Sequence, residues 1–136
     1  MTLKIKEYFR NTKTDSSINE ESINTYEQKL GINLPSEYKE FLLFSNGIEG
    51  FVGESYLALF RLEDLLLVHQ TTKKDAPNLL VIGTDGGGTD FVFDIEENFV
   101  VKEVQAISLG VDTPKLCANN FSSFLEYLFN KKYYSV

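Results

Sequence analysis

The sequence predicts an α+β fold in which a mostly antiparallel, twisted sheet is flanked by helices. Two helical patterns lie near the start of the chain, strand patterns follow, and one helical pattern closes it. This order lacks the regular strand-helix alternation of a parallel sheet. The chain has 136 residues, of which 43% are hydrophobic, and this suits one continuous core. We therefore expect a single domain over residues 1–136.

The first helix is predicted at residues 19–30. Apolar Ile23, Tyr26 and Leu30 recur there at helical spacing and form one buried stripe. Asn19 is a favourable N-cap, because its side chain can accept a hydrogen bond from the first turn. Gly31 follows as a stop signal.

A second helix is predicted to begin at Pro35 and Ser36, because proline suits the first turn of a helix. Asn46 and Gly47 end it, since both residues tolerate the left-handed backbone conformation. The buried face of this helix is predicted to carry Tyr38, Phe41, Leu42 and Ser45.

Weaker patterns surround these helices. Residues 11–17 are polar, and we expect them to form a surface connection. The glycines at both ends of residues 50–53 favour a loop. Residues 56–60 are predicted to form a short strand, and residues 62–68 a helical turn.

Strand patterns dominate the second half of the chain. Residues 79–82 are wholly apolar, which is typical of a central strand buried on both faces, and residues 83–88 form the turn after it. Thr89, Phe91 and Phe93 alternate along the chain with Asp90, Val92 and Asp94. A second run at residues 99–104 follows the polar connection 96–98. These last two runs predict an antiparallel hairpin.

A closing helix is predicted after Asn119 or Asn120, either of which can serve as its N-cap. The apolar residues that follow keep helical spacing over more than two turns. They are Phe121, Phe124, Leu125, Leu128 and Phe129.

The chain is acidic, with a formal net charge of -7 and a sequence pI near 4.7. Direct nucleic-acid binding is disfavoured, because affinity for phosphates rests on Lys and Arg side chains. A charged protein partner is expected to be basic, since opposite long-range fields accelerate association. The alternative is that the charge only keeps the protein soluble.

Cys117 is the only cysteine, so an internal disulfide and a thiolate metal cage within one chain are both impossible. The sequence shows neither an apolar run long enough to span a membrane nor a signal-peptide pattern in residues 1–10. We expect a cytoplasmic protein that makes no membrane contact.

The segment at residues 83–90, GTDGGGTD, resembles a phosphate-binding loop only superficially. Phosphate loops lead into a helix, whereas this one leads into a strand pattern, lacks Lys and carries two Asp residues. We interpret it as a turn whose Asp side chains hydrogen-bond the backbone. A calcium site built from Asp85, Asp90 and Asp94 is the alternative, but its spacing does not match an EF-hand.

Catalytic residues are not predicted. His69 is the only histidine, no Gly-x-Ser-x-Gly motif accompanies it, and we expect it to face solvent or to be hydrogen-bonded. Cys117 lies in a small apolar context typical of a packed, inert thiol. An enzyme is therefore the least favoured class, and no cofactor is predicted.

Three stretches together resemble the SUKH superfamily, which includes fungal regulators of cell-wall assembly and bacterial proteins encoded beside polymorphic toxins. Residues 26–42 read YEQKLGINLPSEYKEFL and precede Asn46-Gly47, like the paired helices of the family. Residues 82–94, IGTDGGGTDFVFD, are similar to its glycine-rich turn and following strand. Residues 117–125, CANNFSSFL, resemble its closing helix, whereas residues 54–78 match no family pattern.

The resemblance implies an α+β domain without enzymatic activity and, for bacterial members, binding and neutralisation of a toxin, often a nuclease. We expect a basic toxin domain as the partner. The alternative is a regulatory or scaffolding adaptor that binds a protein of its own cell. From their position near the glycine-rich turn and the hairpin, the predicted partner-binding residues are Asp85, Asp90, Asp94, Glu96 and Glu97.

Overall fold

The computed structural model describes residues 4–133, where five α-helices accompany one seven-stranded sheet. The α-helices are α1 (Lys4–Tyr8), α2 (Glu20–Leu30), α3 (Ser36–Phe44), α4 (Leu62–Thr72) and α5 (Phe121–Asn130). The strands are β1 (Asn11–Thr14), β2 (Ile48–Val52), β3 (Ser55–Leu59), β4 (Leu79–Thr84), β5 (Thr89–Asp94), β6 (Val100–Gln105) and β7 (Lys115–Ala118). Short 3-10 helices follow β5 and β6. They are Ile95–Glu97 and Ala106–Ser108. The terminal residues 1–3 and 134–136, which the single-domain prediction includes, lie outside the described residues.

The strands lie in the sheet in their chain order, and every neighbouring pair is antiparallel. This confirms the predicted α+β class with an antiparallel sheet. The ladder between β3 and β4 has only two registered pairs, Ala58 with Thr84 and Leu59 with Gly83. The sheet therefore has two halves, β1–β3 and β4–β7, joined at one short ladder, and α4 lies in the connection between them.

The main core lies on one side of the sheet, under the helices. Tyr38 of α3 is wholly buried, and its ring meets Phe93 of β5 at 5.3 Å and Phe121 of α5 at 5.2 Å, both edge to face. Edge-to-face contacts of this kind stabilise aromatic clusters beyond their buried area. The core is thus centred on aromatic rings from α3, β5 and α5.

A smaller apolar cluster lies on the opposite side of β4–β6. Alternation along β5 sends Phe91 and Phe93 into the main core and Val92 into this second cluster. Its buried members are Ala76, Leu79, Val81, Val92 and Val104, and partly buried Phe60, Val68 and Leu109 pack against them. The end of α4 and the segment after β6 therefore cover this half of the second sheet face.

Most elements with clear sequence signals are confirmed. Asn19 caps α2 by accepting from the Ser22 N–H at 2.8 Å, and Gly31 ends the helix with a φ of 69°. Asn120 caps α5 in the same way, accepting from the Ser123 N–H at 2.8 Å. The buried strand β4 and the β5–β6 hairpin are present, and the helical turn predicted at residues 62–68 is the longer helix α4.

Two predicted connections are wrong, because both segments are strands. Residues 11–14 form the edge strand β1, whose polar, exposed side chains show no apolar alternation. Residues 48–52 form β2 rather than a loop around Gly50, since pairing on both sides stabilises a strand that contains glycine. The sequence also did not predict α1 and β7, which are only five and four residues long.

The end of α3 differs from the prediction by one residue. Ser45 is extended and does not continue the helical face. Its hydroxyl instead accepts from the Asp15 N–H at 2.8 Å and donates to the Gly47 carbonyl. Gly47 has a φ of 89°, and a Cβ there would lie 2.6 Å from the Leu59 carbonyl oxygen, so only glycine fits. This corner joins the end of α3 to β1 and β3.

Candidate functional site

The candidate site is the half of the second sheet face that residues 4–133 leave uncovered. Alternation in β2 and β3 sends Ile48, Val52, Leu57 and Leu59 into the main core, so the residues between them point to the other side. We call this side of β1–β3 the open face. It carries Lys13, Glu49, Phe51, Tyr56 and Ala58, all exposed or half-buried. A groove of about 420 Å³ runs from it toward the start of α4.

An aromatic pair is the main apolar feature of the open face. Phe51 and Tyr56 are cross-strand partners whose ring centroids lie 5.5 Å apart, edge to face, and Phe51 is 52% exposed. The Tyr56 hydroxyl donates to Glu49 Oε1 at 2.6 Å, and this hydrogen bond raises the pKa of the Tyr56 phenol. The Tyr56 ring is therefore held in a defined orientation while its neighbour is presented to solvent.

The glycine-rich turn borders the open face. Asp85 Oδ1 accepts from the Gly87 N–H at 2.7 Å and the Thr89 N–H at 3.1 Å, which confirms the predicted role of an Asp side chain in the turn. Gly86 has a φ of 78°, and a Cβ there would lie 3.1 Å from Tyr56 Cδ2. The turn therefore packs closely against the aromatic pair and leads into a strand, not a helix.

Asp90 lies at the border between the open and the covered half. The register places Ala58, Thr84 and Asp90 side by side on β3, β4 and β5. Burial, and secondly the nearby Asp85 carboxylate, raise the pKa of Asp90. Within residues 4–133, the Asp90 carboxylate has neither an ion-pair partner nor a hydrogen bond.

The other predicted partner-binding residues lie at the far end of β5. Asp94 is only 4% exposed; its Oδ2 lies 2.9 Å from Lys102 Nζ, and its Oδ1 accepts from the Glu96 N–H at 3.1 Å. Glu97 binds the same ammonium at 3.0 Å. The hydrogen bond to Asp94 raises the pKa of Lys102. Asp94 is therefore a buried structural residue and is removed from the candidate binding residues.

The five predicted residues thus do not form one surface. Asp85 lies in the turn that packs against Tyr56, and Asp90 lies near Asp85 but two strands from Tyr56, whereas Asp94, Glu96 and Glu97 lie four or more residues further on. Along a strand, four residues correspond to roughly 13 Å.

The separation between Asp90 and Asp94 rules out a single calcium site made from Asp85, Asp90 and Asp94. The described residues contain no group of three or more His, Cys, Asp or Glu side chains placed to hold a metal ion.

The two candidate catalytic side chains have no catalytic arrangement. His69 is 6% exposed, so the prediction that it faces solvent is wrong, and its Nδ1 has no hydrogen-bond partner among residues 4–133. Burial, and then Lys73, lower its pKa. Burial raises the pKa of the Cys117 thiol to about 12, so it stays protonated and weakly nucleophilic at neutral pH.

Several residues of the first family-like stretch have structural roles. Glu27 Oε2 accepts from the Leu34 N–H at 2.7 Å and so closes the turn between α2 and α3. Asn46 caps α4, accepting from the Leu62 N–H at 2.9 Å and donating to Glu63 at 2.9 Å. These side chains hold the helices together and are not available to a partner.

Sequence reasoning missed Glu49, Phe51 and Tyr56 as site residues. The segment around Gly50 was interpreted as a loop, so its side chains had no assigned face. The signal was present as alternation, with Ile48 and Val52 on one side and Glu49 and Phe51 on the other. Gly50 on the apolar side hid that pattern.

Comparisons with known proteins place this fold in a family. None of the helices within residues 4–133 is long and apolar enough to cross a membrane. The chain is 51% identical over 39 residues to the "Uncharacterized protein YnaB" of Bacillus subtilis (strain 168), a stretch that covers 29% of this chain and 27% of YnaB. Residues 17–127 match the model of the SMI1 / KNR4 family (SUKH-1). Since this match covers most of the chain, the protein belongs to the SMI1/KNR4 (SUKH-1) family of immunity-type or regulatory proteins.

Proposed function

We propose that this chain is a non-enzymatic immunity protein that binds and neutralises a polymorphic toxin encoded nearby, often a nuclease. Family membership supports an immunity-type or regulatory role. The observation that carries the proposal is the Phe51–Tyr56 pair, bordered by the turn that carries Asp85, on a sheet face that residues 4–133 leave uncovered. Neutralisation follows if the bound toxin surface is the one that its substrate needs.

The chemistry of the open face suits a protein partner. Buried interface centres are enriched in aromatic side chains, which bring large area at little cost in conformational entropy. The net charge of -7 favours a basic partner and steers it toward the protein over a long range. Glu96 and Glu97 are exposed and contribute to this field from the far end of β5. We propose the cytoplasm as the site of action, with residues 1–136 forming one domain that uses no cofactor.

The test is co-expression with the toxin domain encoded beside this gene. We expect the chain to restore growth of cells that produce the toxin and to co-purify with it in near-equal amount. The double substitution F51A/Y56A should abolish both effects. The matched control is Leu67→Ala, which truncates another side chain that is 61% exposed but lies on α4. A toxin that stays active and unbound beside the unaltered chain would overturn the proposal.

The regulatory class remains the alternative within the same family. Affinity purification of the tagged chain from its native cells at low and high salt separates the two classes. Recovery of one basic toxin domain supports immunity, and loss of that toxin at high salt supports electrostatic attraction. Reproducible recovery of a protein of the cell's own pathways, with no toxin encoded nearby, would assign the chain to regulation instead.

A further inference from the structure

We propose that the open face receives an arginine side chain of a basic protein partner, with its guanidinium against the Tyr56 ring, at the edge of the glycine-rich turn, and paired with Asp85 and Asp90. The presence of a protein partner rests on the proposed function, whereas the anchoring residue goes beyond it. The proposal follows from a sheet face that residues 4–133 leave uncovered, with Phe51 exposed on it, and from carboxylates at its border that have no cation within those residues.

The first step is a comparison of two carboxylates on the same side of β5. Asp94 and Asp90 lie at opposite ends of that strand, and both are at least partly buried. Asp94 is neutralised by Lys102 Nζ at 2.9 Å. Asp90 has no cation within the described residues and lies near Asp85. A partner's cation would occupy the position at Asp90 that Lys102 occupies at Asp94.

The second step concerns the cations of the chain itself. Lys102 is held between Asp94 and Glu97. Arg61 is held by Asp15 at 3.1 Å and by Glu63 at 3.1 Å. Lys13 lies on β1, where Glu49 is its cross-strand partner. Four strand spacings separate Lys13 from Asp90, a distance of roughly 19 Å. Among residues 4–133, no side-chain cation pairs with Asp90, so this position is open to a cation of a partner.

The third step identifies the cation as arginine. A guanidinium is planar, so it can stack on an aromatic ring while its edge donates to carboxylates. The open face offers both features, since the Tyr56 ring lies against Gly86 of the turn that carries Asp85. The hydrogen bond from Tyr56 to Glu49 fixes the ring before a partner arrives. Lysine is a point charge and would use only the carboxylates.

The experiment is an NMR titration of the full chain with the peptide acetyl-Gly-Arg-Gly-amide. Matched peptides carry citrulline, which is isosteric but uncharged, or lysine in place of arginine. We expect the arginine peptide to shift resonances of residues 49–58 and 84–90, and the citrulline peptide to leave them in place. Asp90→Asn should weaken arginine binding by about fivefold, the loss of one partly desolvated charge pair. Glu96→Gln removes an exposed carboxylate at the other end of β5 and should change the affinity less than twofold, as rim charges do.

Tyr56→Leu is the second variant and should also weaken the arginine peptide, while lysine binding stays the same. Shifts spread evenly over the acidic surface, equal affinity for lysine and arginine, or unchanged binding to Asp90→Asn would each overturn the inference. Failure here is distinguishable from failure of the proposed function. A toxin that binds Asp90→Asn normally contradicts only the arginine anchor, whereas arginine binding at Asp90 in a chain that ignores the toxin contradicts only the immunity role.

Discussion

The two halves of the second sheet face differ in whether other segments of the chain cover them. On β4–β6, Val81, Val92 and Val104 lie under Leu109 and Val68, so the chain covers its own apolar side chains. On β1–β3, no segment of the described part of the chain covers the Phe51–Tyr56 pair in this way, and Phe51 is half exposed. On this face of the sheet, the larger aromatic rings of β2 and β3 are therefore left at the surface, whereas the smaller valines of β4–β6 are buried.

The same contrast holds for charge. At the covered end of β5, Asp94 and Lys102 form a pair with side-chain exposures of 6% and 13%. At the end that borders the open face, Asp90 is partly buried, and residues 4–133 supply no counter-charge to it. A partly buried, ionised carboxylate without a cation lowers the stability of the folded state. A partner that brings a cation to Asp90 would remove this penalty on binding.

The largest expected effect comes from placing a charge in the covered half. Val92→Asp should lower the free energy of unfolding by about 4 kcal/mol, because it buries an unpaired carboxylate in an apolar cluster. Phe51→Asp, on the open face, should lower it by only about 1 kcal/mol, the loss of the edge-to-face contact with Tyr56 and the poor strand propensity of Asp. Urea denaturation measures both values. Similar losses for the two variants would mean that the open face is part of the core.

The next effect comes from breaking the buried ion pair. Lys102→Met should cost about 2 kcal/mol, since it leaves Asp94 buried and unpaired. The pKa of Lys102 is raised in the folded state, so the stabilisation is present below the unfolded value of about 10.4 and is lost as pH rises through the folded pKa. Denaturation curves at pH 7 and at a pH above the folded pKa of Lys102 test this. A Lys102→Met penalty that persists undiminished at the higher pH contradicts the assignment.

The smallest effect is expected at Asp90 and has the opposite sign. Asp90→Asn should raise the free energy of unfolding at pH 7 by about 0.5 kcal/mol, discounted for the exposure of the side chain. Burial raises the folded pKa of Asp90, so the unaltered chain binds more protons when folded and gains stability as pH falls through that pKa. The gain from the substitution should therefore shrink toward pH 4. A loss of stability at pH 7 would show that the carboxylate makes a favourable contact.

Local sequence signals predicted the elements whose side chains are buried or that cap helices. Asn19 and Asn120 act in the first turns next to them, and the apolar spacing of α5 defines the face that it buries. The edge strand β1 was not predicted, because it buries no apolar side chain. Strand β1 is polar on both sides, so its pairing with β2 leaves no periodic pattern in the sequence.

The candidate site was predicted only in part. Asp85 and Asp90 were identified, but they were grouped with Asp94, which lies on the same face of β5 and is buried. Linear proximity could not show that Lys102 of the next strand neutralises Asp94, because that contact depends on the β5–β6 register. The register between β2 and β3 likewise decides that Phe51 and Tyr56 meet.

By itself, the sequence determined the α+β class, the caps and buried stripes of the main helices, and the turn chemistry of Asp85, since these depend on residues close together in the chain. Only the tertiary structure decided which sheet half the chain covers, which carboxylate has a cation and which aromatic rings face solvent. These properties depend on strand register and on the path of distant segments, because electrostatic and packing partners come from elements far apart in sequence.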